Sequence, residues 1–315
     1  MVNLIQNENM KIYRRIRTWV MVVLLVVLVV ATSLLMFFLD DGQEMKNGDW
    51  RAQLEQQQAN FTTELNDKNT SDNQREYING RLTIIEHHLD NNIPPMYTTM
   101  WEPVDNLTDF VLLITLFVVI IAGDSIAGEF STGTIKLLLI RPASRLKIML
   151  SKYYALILFG VFLLILLFLT SFLVNGLLYG FTGWSLPYLS VSGDGVIQQE
   201  STLIFIWKQY LFGTVSTVMY VTFAFMISAV FRSSAMAIGI SIFSMYAGML
   251  VTSLFQQYSW SKYSVFANMD LRQYLEGVPF REEMTMNFSI GVLIAYFIIF
   301  CVLSWAVFTK RDVAS

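Results

Sequence analysis

Two glycines five positions apart, Gly128 and Gly133, have the spacing that opens a phosphate-binding loop, GxxxxGK[ST], whose backbone amides cradle a nucleotide. Thr134 stands where the phosphate-reaching lysine belongs, and no parallel-sheet pattern surrounds it, so the spacing does not predict nucleotide binding. Other chemistry-bearing residues are as sparse. His87 and His88 are the only histidines, and sequence neighbours leave a helix on different sides, so they do not predict a metal site. There is no HExxH motif, and no Ser or Cys has a histidine in its own helix layer, which disfavours a protease or lipid transferase. Cys301, the single cysteine, lies in an apolar run and reads as a small packing residue. The expectation is a chain with no catalytic residue, no metal site and no cofactor of its own.

What remains is charge at the edges of apolar runs. Asp109 and Asp124 bracket fourteen residues, about 21 Å of helix against a hydrocarbon core of roughly 30 Å. That helix either buries an acid near its end or is shielded by its neighbours, so it is expected in the bundle interior. Lys152 is placed to snorkel or to pair with Asp124 or Glu129. Thr214, Thr217 and Tyr220 put uncharged polar groups into a later span, where they line a pathway or satisfy one another between helices. Ala235 with Gly239, and Ala237 with Ser241, give small-xxx-small spacing, for packing within the chain or against a second subunit.

These residues are positioned by a membrane fold. Fifty-five per cent apolar residues with only 14% charged ones do not make a soluble surface, and the mean hydropathy is +0.52. The apolar residues fall in six runs, so the expected fold is an all-α polytopic membrane protein: spans at 18–39, 106–123, 149–177, 208–231, 233–255 and 288–308. Lysines and arginines in the short connections put both termini inside. Residues 1–17 and 309–315 and the segment 124–148 are then cytoplasmic, while 40–105, 178–207 and 256–287 lie outside. A multi-pass chain of the plasma membrane is expected, with lipids as partners and no nucleic acid.

The first outer insertion changes composition abruptly. Trp50, Leu54, Phe61 and Leu65, then Ile78, Leu82, Ile85 and Leu89, recur at helical spacing and predict a hairpin of two amphipathic helices. From Asp40 to Asp109, fourteen acids against five bases leave a formal charge of −9. That charge attracts a cationic ligand or keeps the hairpin soluble.

The stretch GEFSTGTIKLLLIRPASRLKIMLSK, Gly128 to Lys152, following a second span, resembles the cytoplasmic signature of ABC-2-type transporter permeases. DWRAQLEQQ to LDNNIPP, ANMDLRQYLEG (Ala267 to Gly277) and the closing FTKRDV are similar to the branch typical of Gram-positive bacteria. The resemblance implies an ABC exporter membrane subunit beside a second permease copy, a homodimer or a paralogue, with two copies of a separate ATPase chain carrying ATP and Mg. It also implies that Val2 to Arg17 form an amphipathic connecting helix and that Gly128, Glu129, Gly133, Thr134, Arg141 and Arg145 belong to the ATPase-coupling region. Such permeases export peptide antibiotics, lipids or drugs, some conferring antibiotic resistance. The competing expectation is a sensory or scaffold membrane protein that binds a partner through the acidic hairpin.

Overall fold

Where lipid surrounds a chain, each backbone amide must be satisfied nearby, and an α-helix does so within its own segment. The computed structural model describes residues 1–39, 50–66, 72–134, 143–191, 196–275, 277 and 279–310. Six of its helices are long and apolar enough to cross a membrane, and the chain is a mostly helical, multi-pass membrane protein. Arg141 lies outside the described residues.

In chain order the helices are α1 (Val2–Tyr13), α2 (Ile16–Leu39), α3 (Trp50–Leu65), α4 (Asp72–Asp90), α5 (Trp101–Asn106), α6 (Val111–Ser131) and α7 (Arg145–Tyr179). Strands β1 (Pro187–Val191) and β2 (Ile197–Ser201) follow, then α8 (Thr202–Val230), α9 (Ser234–Leu254), α10 (Val265–Met269) and α11 (Met286–Lys310). Short 3-10 turns at Leu107–Phe110, Ser259–Tyr263 and Leu271–Tyr274 link them.

The chain forms two compact units. One comprises Met1–Val26, Asp109–Leu167 and Tyr210–Ser315, and the other Val27–Thr108 and Phe168–Gln209.

In the first unit α6 is the most enclosed of the six apolar helices. It differs from the expected short span because it runs on through Asp124 to Ser131, burying that acid, while Asp109 sits in the preceding 3-10 turn with its side chain 82% exposed. Gly133, at φ +72°, then ends the helical segment in the left-handed conformation that glycine adopts without a Cβ penalty. Gly123 lets α9 approach closely, since a Cβ there would meet the Ile238 backbone at 3.1 Å. Facing it, Ala237 and Ser241 are fully buried, whereas Ala235 and Gly239 are exposed. One of the two small-residue pairs therefore packs inside the chain.

The motif Ala267 to Gly277 is knitted by side chains. Asn268 is wholly buried, donates to the carbonyls of Lys262 and Ser264 at 2.7 Å and accepts from Ser289. Arg272 bridges Asp270 and Asp109, both at 3.1 Å. Burial works to lower the Arg272 pKa, but these carboxylates outweigh it and hold it above its ordinary value.

In the second unit α3 and α4 pack on each other through Leu54, Ile78 and Ile85, one buried face of the two stripes. Arg51 reaches Asn92 at 2.5 Å, at the far end of α4. Trp101 is the core residue, edge-on to Trp184 with ring centroids 5.1 Å apart. Asn175 of α7 donates to Ser33 of α2 at 3.1 Å, a polar contact between two apolar helices. The antiparallel pair β1–β2 stands where a loop was expected. Five-residue, half-exposed strands carry little periodic signal; here tertiary contacts hold them, Tyr188 stacking on Phe205 at 3.5 Å and Gln199 meeting His87 at 2.7 Å.

Candidate functional site

The chain concentrates its buried charge at one end of the first unit. A break after Tyr13 separates α1 from α2, and carbonyls at the end of α1 accept from side chains of the next helix. Thr18 Oγ1 donates to the Ile12 carbonyl at 2.6 Å and Trp19 Nε1 to that of Tyr13 at 2.9 Å. Tyr13 also meets Phe159 and Phe162 of α7 edge-on, at 5.8 and 5.7 Å. These contacts fix α1 against the bundle and aim its Glu8 and Lys11, with Arg15 and Arg17, at the end of α6.

Two carboxylates of α6 organise the site. Glu129 Oε1 accepts from Lys11 at 2.9 Å and from Lys152 of α7 at 2.7 Å; Lys152 also donates to Glu8 at 2.9 Å, and Lys11 to Glu8 at 2.8 Å. Lys152 is 4% exposed, so its charge rests on those two acids. The Asp124 carboxylate accepts from Arg15, Arg17 and the Ser234 hydroxyl, which joins the start of α9 to the same point. Burial works to lower the Lys11 pKa, but its bonds to Glu129 and Glu8 outweigh that and hold it above 10.5.

The backbone beside Asp124 is held too. Ser228 of α8 donates to the Gly123 carbonyl at 2.7 Å and accepts from the amides of Ile126 and Ala127 at 3.1 and 3.0 Å. Gly128 leaves space for the carboxylate, because a Cβ at 128 would sit 2.5 Å from Asp124 Oδ1.

Of the residues singled out in the sequence, Asp124, Gly128, Glu129 and Lys152 come together here. Lys152 pairs with Glu129, one of its two expected partners, and with Glu8. Thr134 lies near Glu129, its hydroxyl 3.4 Å from the carboxylate, and Arg145 donates to the Thr309 carbonyl at 2.7 Å. Asp109 belongs to the Arg272 contact instead. Thr217 exchanges a hydrogen bond with Thr115 at 2.8 Å, Thr214 donates to the Tyr210 carbonyl at 2.7 Å, and Tyr220 is buried. Beside Thr214 and Thr217 lies a crevice of about 10 Å3, room for little more than a water.

Sequence reasoning missed Glu8, Lys11, Arg15, Arg17, Ser228 and Ser234 as site residues. Lys11, Arg15 and Arg17 carried a signal, as a basic flank that sets orientation, and with Glu8 they lie in the Val2 to Arg17 stretch that the resemblance implies is a connecting helix, but nothing singled them out as partners of α6. Nothing local marks Ser228 or Ser234, since serine in an apolar helix is common.

The arrangement is built from ion pairs and a serine hydroxyl. It is a set of charge-assisted hydrogen bonds joining α1, α2, α6, α7 and α9 at one end, a device for holding helices together or releasing them together. Fold and site thus define a polytopic helical membrane protein with a polar clamp at one end of its spans. The chain belongs to the family described as Protein of unknown function (DUF2705), whose model matches residues 83–314. It is 39% identical to the uncharacterized protein YhcI of Bacillus subtilis (strain 168) over 319 residues, covering 100% of both chains. It is 31% identical to the uncharacterized membrane protein YdbK of the same organism over 205 residues, 64% of this chain and 78% of that one.

Proposed function

We propose that the chain is the transmembrane permease subunit of an ATP-driven ABC exporter in the plasma membrane. Both termini and the clamp lie in the cytoplasm, and the α3–α4 hairpin and the Ala267–Gly277 motif lie outside. The chain works beside a second permease, a copy of itself or a paralogue, above two copies of a separate ATPase that bind ATP and Mg. It is not itself an enzyme. Its cargo is amphipathic or hydrophobic: a peptide antibiotic, a lipid or a drug.

One observation supports this most: the segment that resembles a coupling region is ion-paired through Glu129 to the helix that resembles the connecting helix, and to Lys152 at the base of the next span. A push on any of these elements is passed to the others, because moving one alone would strand the buried Lys152. In this mechanism ATP-driven closure of the partner ATPases displaces α1 and the end of α6, and the bundle rocks between inward and outward access.

The test is co-purification. Tagged chain expressed with its ATPase brings the ATPase down, and Glu129→Lys and Gly133→Trp weaken that association and transport. Purified chain that hydrolyses nucleotide or moves solute uphill alone in liposomes refutes the proposal, as does full assembly and transport by both variants.

A further inference from the structure

Beside the clamp a crevice of about 30 Å3 has Glu8, Lys11, Arg15, Ser125, Glu129 and Lys152 on its polar side, with apolar side chains of α1, α6 and α7 closing the rest. It has room for the oxygens of a small anionic group and none for an acyl chain. Around it charge is segregated. Among the described residues of α1, α2, α6, α7 and α9 the acids are Glu8, Asp124 and Glu129, each with its carboxylate engaged by the clamp. The exposed charges are cationic: Arg14, Arg15, Lys147 and Arg232, with Lys11 and Arg17 half-exposed. Arg17 Nε is buried without a hydrogen-bond acceptor, a donor left over by the clamp.

The height of this end relative to lipid follows from α2. Its exposed apolar face begins at Ile16, 82% exposed, and continues through Trp19, Val20 and Val23. Arg15 precedes the first lipid-facing residue, and Trp19 is an interfacial aromatic one turn further on. Guanidinium groups at that level face lipid phosphates, whose paired oxygens match their forked donors.

We propose that this crevice binds the phosphate of an anionic phospholipid of the facing leaflet, which competes with Asp124 and Glu129 for Arg15 and Lys11. Lipid charge then sets how firmly α1 is clamped to α6. The inference rests on the orientation given above but not on the ATPase. Lipid retention is measured on the isolated chain, so its failure and a failure of ATPase co-purification are separate results.

The experiment is native mass spectrometry of the full chain released from nanodiscs of mixed phosphatidylglycerol and phosphatidylcholine. Wild type retains phosphatidylglycerol preferentially, and Lys11→Gln and Arg15→Gln each lower that preference about fivefold. Lys147→Gln and Arg232→Gln, outside the crevice, lower it by much less, about twofold at most. Asp124→Asn, which frees Arg15 from its carboxylate, raises it, a gain that a merely misfolded variant would not give. Millimolar inorganic phosphate leaves the lipid in place. Equal retention of both lipids, unchanged retention in Lys11→Gln and Arg15→Gln, or no gain in Asp124→Asn overturns the proposal. Displacement of the lipid by inorganic phosphate also overturns it and makes the crevice a site for soluble phosphate.

Discussion

Replacing Asp124 by alanine tests whether the clamp holds the helices together. The carboxylate is buried and accepts from Arg15, Arg17 and Ser234. A buried pair broken from one side costs about 3–5 kcal/mol when the abandoned charge stays buried. Here the two guanidinium groups are 47% and 37% exposed and rehydrate once released, which reduces each contribution to about 0.5 kcal/mol. Ser234 loses a hydrogen bond to a charged acceptor, about 1 kcal/mol after partial rehydration. The expected loss for Asp124→Ala is therefore about 2 kcal/mol, and about half that for Asp124→Asn, which still accepts from Ser234. SDS-induced unfolding in mixed micelles, followed by tryptophan fluorescence, measures it. Combined with Arg17→Gln, the double variant loses less than the sum of the singles by about 0.5 kcal/mol, since both remove one interaction. A loss below about 0.5 kcal/mol for Asp124→Ala, or strict additivity with Arg17→Gln, would refute the clamp.

Gly123→Ala forces α6 and α9 apart, because the new Cβ meets Ile238 backbone at 3.1 Å, and costs about 1–3 kcal/mol in the same unfolding assay. Gly160→Ala, whose nearest contact is a Val118 methyl at 3.6 Å, costs nothing measurable and serves as its control. Asn268→Ala leaves the part-buried carbonyls of Lys262 and Ser264 without this donor and loses about 1–2 kcal/mol, whereas Arg272→Gln, on a partly exposed bridge, loses under about 1 kcal/mol. His88 is buried with Nδ1 on the Ile93 carbonyl at 2.9 Å, and burial holds its pKa below 6.5 despite that bond. Its contribution is thus fully present above pH 6.5 and is lost as pH falls from there through the depressed folded value. Proteolysis within α3 and α4 of the intact chain accordingly speeds up at about pH 5 relative to about pH 7.5, and His88→Gln abolishes that difference.

The membrane class was legible in the residues themselves. Apolar runs long enough to span a bilayer have one low-energy solution, and each of the six appears as a helix. The same local rule placed the α3 and α4 stripes, where Leu54, Ile78 and Ile85 are the buried positions. Lys152 was marked as a cation that must either snorkel or pair with Asp124 or Glu129, because an isolated charge among apolar neighbours is costly wherever it lies.

Glu129 was one of the two acids the sequence offered Lys152, but its second partner was not legible. Glu8 lies 144 positions away and meets Lys152 only because the break after Tyr13 turns α1 back onto α7. The extension of α6 through Asp124 was one of two alternatives along the chain, and what decides it lies elsewhere: Arg15, Arg17 and Ser234 arrive to neutralise the acid. The β1–β2 pair depended on Phe205 and His87, neither of which is a neighbour in its local pattern. Composition and periodicity act over a few residues and decide helix and span. Long-range partners decide whether a charge or a short strand is tolerable, and they are set only when the helices pack.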